Sequence, residues 1–251
     1  MKEEELLKKR LLELSQKAYT QNIYTYTHFL NEYEQSIYKE VQKDLTFVDS
    51  HLEGGHEYFT RAIVIFGSEE MFGYKGEIPL VCVRISPVFD KFAELLTHRD
   101  YLGALMHLGI ERHQIGDILV DKKIAYVFCF EHIAEVLEKE LVKVRHTQVQ
   151  VTKILSEEVK FTQKFQKKEG FVSSMRLDSV ISLAFGLSRK NSALLLKGQK
   201  VFVNGKLLIG GDHKVETGDA VSVRGYGKFL VGTLGKQSKK GRQFVVLEIL
   251  C

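Results

Sequence analysis

The first part of the chain has the apolar spacing of an amphipathic helix. Leucines recur at intervals of three and four among Lys, Glu and Arg between residues 1 and 20, which places them on one helical face. A second helix is predicted over 32–42, after a stretch rich in Thr and Tyr that we expect to be a loop or a short turn. Residues 61–67 form an apolar, β-branched run, which predicts a strand.

The middle of the chain alternates between strand-like and helix-like patterns. In chain order, the predicted elements are a strand at 80–85, a long amphipathic helix at 89–108, strands at 118–120 and 124–130, a helix at 132–142 and a strand at 147–154. The order βαββαβ is the split-βαβ, or ferredoxin-like, arrangement. Because RNA-binding domains, enzymes and metabolite sensors all use it, the pattern predicts a fold and no particular function.

The last third of the chain predicts a pair of short helices followed by a small sheet with tight turns. One helix covers 176–185. The next begins after Ser188, whose hydroxyl can accept hydrogen bonds from the amides of the first turn, and ends at Gly198 as a C′ glycine. The dipeptide Asn204-Gly205 between apolar runs indicates a type I′ hairpin. Further strands are predicted at 220–223, 229–234 and 244–250.

These patterns predict an α+β protein with several domains. We expect an N-terminal α+β subdomain over 1–75, a ferredoxin-like domain over 76–156, a linker over 157–173 and a small α/β module over 174–251. The linker is predicted because its segment is charged and rich in Lys and Gln. A monomer is expected.

Composition restricts the class of protein. The 251 residues are 44% hydrophobic and 27% charged, as in soluble globular proteins. We expect no membrane partner, because no apolar run approaches the roughly 20 residues that span a bilayer. The acidic first residues lack the apolar core of a signal peptide, so a cytoplasmic location is expected. The three cysteines form no Cys-x-x-Cys pair and the histidines no ligand cluster, so neither a disulfide framework, a metal site nor a cofactor is predicted.

Charge is distributed unevenly along the chain. From Lys160 to the end there are 17 Lys and Arg against 6 Asp and Glu, a net charge of +11. The preceding 159 residues have 19 against 26, a net charge of −7. A basic end on an acidic body is typical of a module that binds polyanions. A solvated basic face without a partner is equally compatible with the charge alone.

The basic end places cations and a hydroxyl at the predicted start of a helix. RNA phosphates are bound by Arg and Lys, by hydroxyls and by helix N-termini, and Ser188-Arg189-Lys190 offers all of these. We interpret Asp178 as a structural residue that caps the helix or pairs with a nearby Arg, and not as a catalytic one. The predicted RNA-binding residues are Arg176, Ser188, Arg189, Lys190, Lys197, Lys200, Lys206, Arg224 and Lys228.

The basic module resembles the S-four domain, the αL RNA-binding module named after a protein of the small ribosomal subunit. The matching residues are Arg176-Leu177-Asp178, Ser188-Arg189, Ala193, Gly198, Val201, Val203-Asn204-Gly205, Gly218-Asp219 and Val221. The resemblance covers about fifty residues. It implies binding of structured RNA through shape and phosphate contacts more than through base sequence.

The body of the chain extends the resemblance to the YlmH family. The segments that carry it are 97–106, 108–112 and 115–118; the chain departs from the family pattern at Glu32-Tyr33 and at 56–61. The resemblance implies a cytoplasmic bacterial protein that binds ribosomal RNA, with tRNA as a further candidate partner. It also implies association with the large ribosomal subunit in quality control of stalled peptidyl-tRNA complexes, and a link to cell division through gene neighbourhood.

Other classes of function stay open as alternatives. S-four modules accompany RNA-modifying enzymes, but the synthase motif Arg-Leu-Asp is followed by Thr-x-Gly, whereas 176–178 is followed here by Ser-Val-Ile-Ser. We therefore predict a protein without catalytic activity, with a pseudouridine synthase-like enzyme as the alternative. A cell-division scaffold would leave the basic third unexplained. His98, Arg99 and Asp100 are predicted to form either a second RNA contact or a salt-bridged group on a helix surface.

Overall fold

The chain folds into two compact units in a computed structural model that describes residues 2–57, 59–161, 164–238 and 241–250. Unit 1 covers Met1–Phe161 and unit 2 covers Thr162–Cys251. Each unit has its own apolar core. The α+β class predicted from the sequence is confirmed, since both units combine helices with antiparallel sheets.

The N-terminal part of unit 1 packs helices against a small antiparallel sheet, whose order is β1-β3-β2. Leu11 and Leu14 of α1 are buried in its core, whereas Leu6 is exposed. The predicted helices and the strand after residue 61 are confirmed. The elements are α1 (Lys2–Gln21), β1 (Thr25–Tyr26), α2 (Glu32–Val41), β2 (Ser50–Glu53), β3 (Ile63–Phe66) and α3 (Glu69–Phe72).

The second part of unit 1 has the predicted βαββαβ order with one additional two-residue strand, β7, before the last strand. Its antiparallel sheet runs β5-β6-β4-β8-β7. Val83 and Val127 on one sheet face pack with Leu105 and Leu137 from the helices. The elements are β4 (Leu80–Pro87), α4 (His98–His107), β5 (Ile115–Asp121), β6 (Ile124–Phe130), α5 (Glu131–Glu140), β7 (Lys143–Val144) and β8 (Thr147–Ile154).

The prediction of one long helix over 89–108 was wrong. The α-helix begins only at His98, and a short 3-10 turn occupies Asp90–Phe92. The amide and hydroxyl of Thr97 each donate a 2.8 Å hydrogen bond to the carboxylate of Asp100, which fixes the start of the helix. The apolar side chains that suggested an earlier start are exposed, with Phe92 at 78%.

A buried carboxylate connects β5 to the loop that precedes β3. Asp117 is 8% exposed and accepts hydrogen bonds from the amide of Thr60 (2.6 Å), from its hydroxyl, and from the amide of Arg61 (3.2 Å). His56 Nε2 lies 3.1 Å from the same carboxylate. Burial by itself raises the pKa of Asp117, but the hydrogen bonds from His56, Thr60 and Arg61 outweigh it and lower the pKa.

Unit 2 packs its helices on one face of an antiparallel sheet with the order β11-β10-β12-β13-β14-β9. Val180 and Ile181 from the first helix are buried against Val221 and Phe229 of the sheet. The elements are β9 (Phe165–Val172), α6 (Leu177–Phe185), α7 (Arg189–Lys197), β10 (Val201–Val203), β11 (Lys206–Leu207), β12 (Ala220–Val223), β13 (Gly227–Gln237) and β14 (Gln243–Leu250).

The segment 157–173, predicted to be a linker, contains strand β9, so that prediction was wrong for 165–172. This strand pairs with β14 along its whole length, from Phe165 opposite Leu250 to Val172 opposite Gln243. It forms one edge of the sheet. Charged residues are common on edge strands because they discourage pairing with other chains, and here they hide the strand pattern.

The turn chemistry of unit 2 follows the sequence with one exception. Asn204 (φ 49°) and Gly205 (φ 76°) both have positive φ, which confirms the type I′ hairpin between β10 and β11. Gly198 follows α7 as predicted, but its φ is −78°. The left-handed conformation is adopted instead by the next residue, Gln199 (φ 55°).

Candidate nucleic-acid interface

Hydroxyl groups hold α6 and α7 of unit 2 together. Gly186 ends α6 with φ 65°, and Ser188 caps α7 as predicted, with its hydroxyl accepting from the amide of Asn191 at 3.2 Å. The hydroxyls of Ser182 on α6 and Ser192 on α7 lie 2.9 Å apart. Because Ser192 is fully buried, this contact fixes the relative position of the helices.

The first residue of α7 extends toward the end of strand β9. Arg189 donates hydrogen bonds to the hydroxyl of Ser173, which follows β9, and to the hydroxyl of Ser179 on α6 at 3.0 Å. Ser179 is 5% exposed, whereas Arg189 itself is exposed. The guanidinium group is therefore held in place by the protein while remaining accessible to an anion.

A cavity of about 490 Å³ lies beside this guanidinium. We call it the Arg189–Arg242 pocket. Its polar lining consists of Arg189, Arg242, Ser173, Ser179 and Ser182. Arginine forks and hydroxyls are the groups that proteins use to bind phosphate oxygens. The pocket can therefore bind a phosphate group.

Sequence reasoning did not identify Arg242 as part of this pocket. The residue lies far from Arg189 in the chain and outside the segment that resembles the S-four domain. The pairing of Gln243 with Val172 brings it beside Ser173. A prediction of strand β9 and of its pairing with β14 would have identified Arg242, because the register of these strands places Arg242 beside Ser173.

Arg176, also predicted to bind RNA, lies at the start of α6 and is paired with acids. Its guanidinium is 3.3 Å from a carboxylate oxygen of Asp178 and 3.3 Å from one of Asp212. The hydrogen bond with Asp178 is the main cause that raises the pKa of Arg176. The interpretation of Asp178 as a structural partner of an Arg is confirmed, and the charge of Arg176 is partly neutralised.

The remaining predicted cations lie on different parts of unit 2. Lys190 and Lys197 are exposed on α7, Lys200 lies between α7 and β10, and Lys206 is on the edge strand β11. They therefore lie on α7, in the connection that follows it and on the β11 edge of the sheet.

Arg224 and Lys228 lie on the opposite face of the sheet. Lys228 is paired with Ser222 and Ser222 with Phe202, and paired residues in antiparallel strands share a face. The alternate residues, such as Val221, face the helices in the core. The guanidinium of Arg224 lies 4.8 Å from the ring centre of Phe202. The predicted RNA-binding residues therefore occupy two faces and not one continuous surface.

The three residues of the predicted second RNA contact, in unit 1, differ in their surroundings. His98 and Arg99 are exposed at the start of α4. Asp100 has its carboxylate occupied by Thr97 and, at 3.3 Å, by Arg145. Hydrogen bonds from Thr97, the backbone one first, lower the pKa of Asp100. Asp100 therefore caps and anchors the helix.

Among the described residues, no group of three or more His, Cys, Asp or Glu is arranged to hold a metal ion. No helix within the described ranges is long and apolar enough to cross a membrane.

The fold and the pocket together define an α+β protein with a basic, hydroxyl-lined site on a small helix–sheet unit. Residues 78–167 match the family model "Putative RNA-binding domain in YlmH". The resemblance of this segment to the YlmH family, predicted from the sequence, is confirmed. The resemblance of residues 174–251 to the S-four domain stays a prediction.

The similarity to known proteins extends beyond that segment. A protein of Bacillus subtilis (strain 168), "Ribosome-associated protein quality control protein P2", is 28% identical over 225 residues, which are 88% of this chain and 86% of that protein. A solved structure, "Cell division protein ylmH from Streptococcus pneumoniae", has 21% sequence identity and a TM-score of 0.49. The matched region covers 62% of this chain and 94% of the Streptococcus pneumoniae chain.

Proposed function

We propose that this protein binds ribosomal RNA without catalysing a reaction, and that unit 2 provides its main RNA contact. The observation that carries the proposal is the Arg189–Arg242 pocket, whose polar lining consists of guanidinium and hydroxyl groups. The +11 net charge from Lys160 onward supplies a long-range attraction for a polyanion. The match of 78–167 to an RNA-binding domain family supports the same ligand class.

The proposed contact surface comprises the pocket and the exposed cations around it. Lys190 lies next to Arg189 at the start of α7, and Lys197, Lys200 and Lys206 extend the basic surface toward the hairpin. Arg224 and Lys228 form a separate contact on the other face, where Phe202 offers a ring for stacking. His98 and Arg99 in unit 1 stay a prediction of a further contact. Residues 174–251 are proposed to be an S-four module, to which β9 adds an edge strand.

The proposed setting is the large ribosomal subunit carrying a stalled peptidyl-tRNA. Support comes from the name of the Bacillus subtilis relative, which associates that protein with the ribosome and with quality control. We further propose that the protein acts as a monomer in the cytoplasm. Its function would be that of an adaptor, because the polar groups of the pocket suit phosphate binding and Asp178 is paired with Arg176.

Charge reversal at the start of α7 tests the proposal. Arg189→Glu combined with Lys190→Glu is expected to weaken binding to ribosomal subunits strongly, measured by co-sedimentation. Replacing Lys9 and Lys17 of α1 by Glu makes the same change in net charge on exposed positions of unit 1 and is the matched control. Lys190→Glu alone leaves the Arg189 contacts to Ser173 and Ser179 intact, which separates binding from folding.

The salt dependence of binding provides a second measurement. The log–log slope of affinity against salt concentration is about −0.7 per phosphate neutralised on single strands and about −0.9 on B-form duplex. The double variant should therefore have a distinctly shallower slope than the parent protein. Unchanged sedimentation and slope would refute the proposal. Loss of a modified nucleoside from ribosomal RNA in cells lacking the protein would support an RNA-modifying enzyme instead.

A further inference from the structure

Unit 1 contains a second cavity, which is far more aromatic than the Arg189–Arg242 pocket. Its volume is about 480 Å³, within the range of small-molecule sites. Helix α1, the segment after β1, the short 3-10 turn before β5 and the end of β6 all contribute to its walls. We call it the histidine pocket. The lining residues that matter here are Arg10, His28, His113, Gln114, Phe130 and His132.

The rings of this pocket form a continuous row. The ring centres of His28 and His113 are 4.3 Å apart with an angle of 70° between planes. His28 also lies 6.4 Å from Phe130, whose ring is stacked with that of His132 at 5.9 Å and 10°. Phe130 is only 8% exposed and belongs to the core, whereas His28 and His132 are exposed. The core thus supports a row of imidazoles that faces the solvent.

Charged groups lie at the side of this row. Arg10 lies on α1, where its guanidinium is 3.6 Å from Glu13 in an exposed pair, which leaves it able to bind a second anion. Glu34 also lines the cavity, but its carboxylate is used in the cap of α2, where it accepts a 2.7 Å hydrogen bond from the amide of Asn31. His113 lies 3.2 Å from Glu111 outside the pocket lining.

The hydrogen-bonding groups of the pocket suit a base edge. Partial burial, His113 and Arg10 lower the pKa of His28, so its ring is neutral at pH 7 and offers one donor and one acceptor. Gln114 adds an amide with both donor and acceptor atoms. Flat rings bind nucleobases by stacking, regardless of the base, while arginine binds the phosphate.

We propose that the histidine pocket binds a nucleotide, with the base against the imidazole row and the phosphate at Arg10. The nucleotide can be an unpaired residue of an RNA strand or a free mononucleotide, since both present the same groups. The proposal goes beyond RNA binding by unit 2, because the pocket lies entirely within unit 1.

Calorimetric titration of the full chain with adenosine 5′-monophosphate and with a five-residue oligoadenylate tests the proposal. Saturable binding of at least one ligand is expected. His28→Ala and Arg10→Ala should each weaken it by about tenfold, as expected when a stacking partner or a phosphate contact is lost. His107→Ala, an exposed imidazole outside the pocket, and Lys17→Ala, two turns from Arg10 on α1, are the matched controls and should change nothing.

The ligands distinguish the sources of the nucleotide. Tighter binding of the oligonucleotide, with competition by the mononucleotide, indicates an RNA residue; equal affinities indicate a free nucleotide. The same titration with Arg189 and Lys190 replaced by Glu should leave pocket binding of the mononucleotide unchanged, which keeps this proposal separate from the one for unit 2. Binding of neither ligand, or binding that is insensitive to His28→Ala and Arg10→Ala, would overturn it.

Discussion

Asp117 offers the sharpest test of how unit 1 is held together. Replacing it with Ala removes an acceptor that the amides of Thr60 and Arg61 and the hydroxyl of Thr60 all use. Hydrogen bonds to a charged group contribute about 1.5–3 kcal/mol each, and their loss leaves inward-facing donors unpaired. Since removing one partner of a buried charged network costs about 3–5 kcal/mol, we expect Asp117→Ala to lower the free energy of unfolding of unit 1 by about that amount.

Asp117→Asn separates the charge from the shape of this side chain. The amide oxygen of Asn can still accept the backbone donors, and its nitrogen can donate to the hydroxyl of Thr60. We therefore expect a smaller loss, of about 1–2 kcal/mol, because only the charge assistance disappears. Asp121→Asn at the exposed end of the same strand is the matched control, with an expected change within about 0.5 kcal/mol.

The pH dependence of this effect follows from the direction of the pKa shift. The pKa of Asp117 is lowered in the folded protein, so its contribution is present above the ordinary aspartate pKa of about 4 and is lost as the pH falls through the lowered value. The difference between the parent protein and Asp117→Asn should thus be constant from pH 7 to about pH 5 and shrink below about pH 4.

Urea unfolding followed by circular dichroism measures the free energy. Hydrogen exchange of the amides of Thr60 and Arg61 assigns the change to unit 1. A loss below about 1 kcal/mol for Asp117→Ala, or no difference between Asp117→Asn and the Asp121→Asn control, would refute the reasoning.

The remaining predictions concern thiol reactivity and turn geometry. Burial raises the pKa of Cys82 to about 12 and also raises that of Cys129, so both thiols should resist alkylation by iodoacetamide at pH 8 in the native protein and react in urea; rapid native labelling would contradict their burial. Gly205→Ala places a side chain at φ 76° and should lower the free energy of unfolding of unit 2 by about 1–2 kcal/mol; thermal denaturation compared with Gly210→Ala, at a glycine without positive φ, checks it.

Regular elements with strong local signals could be predicted from the sequence. The strand at 124–130 and the hairpin at Asn204-Gly205 were found because apolar runs and turn residues specify them locally. The start of α4 was predicted wrongly, because exposed apolar side chains before it, such as Phe92, give the spacing of an amphipathic helix. Strand β9 was missed because its partner is β14, at the other end of unit 2, and no local pattern reports a long-range pairing.

The parts of the candidate site that depend on local sequence could be predicted, and the parts that depend on tertiary contacts could not. Ser188 as a cap of α7 follows from local helix chemistry, and the structure confirms it. The pairing of Arg176 with Asp212 and the position of Arg242 in the pocket depend on tertiary contacts that spacing cannot show. The division of the cations between two sheet faces depends on strand register, which places Lys228 opposite Ser222.

The pairing of β9 with β14 also affects the order in which unit 2 can form. The first and last strands of this unit are neighbours, so the ends of its chain meet at one side of the sheet. During synthesis, β9 is made well before its partner strand, and its pocket end at Val172 has no strand partner until Gln243 has been made. The wall of the Arg189–Arg242 pocket that depends on this pairing can therefore form only after Arg242 and Gln243 have been made, so the helices and β9 alone do not assemble the pocket.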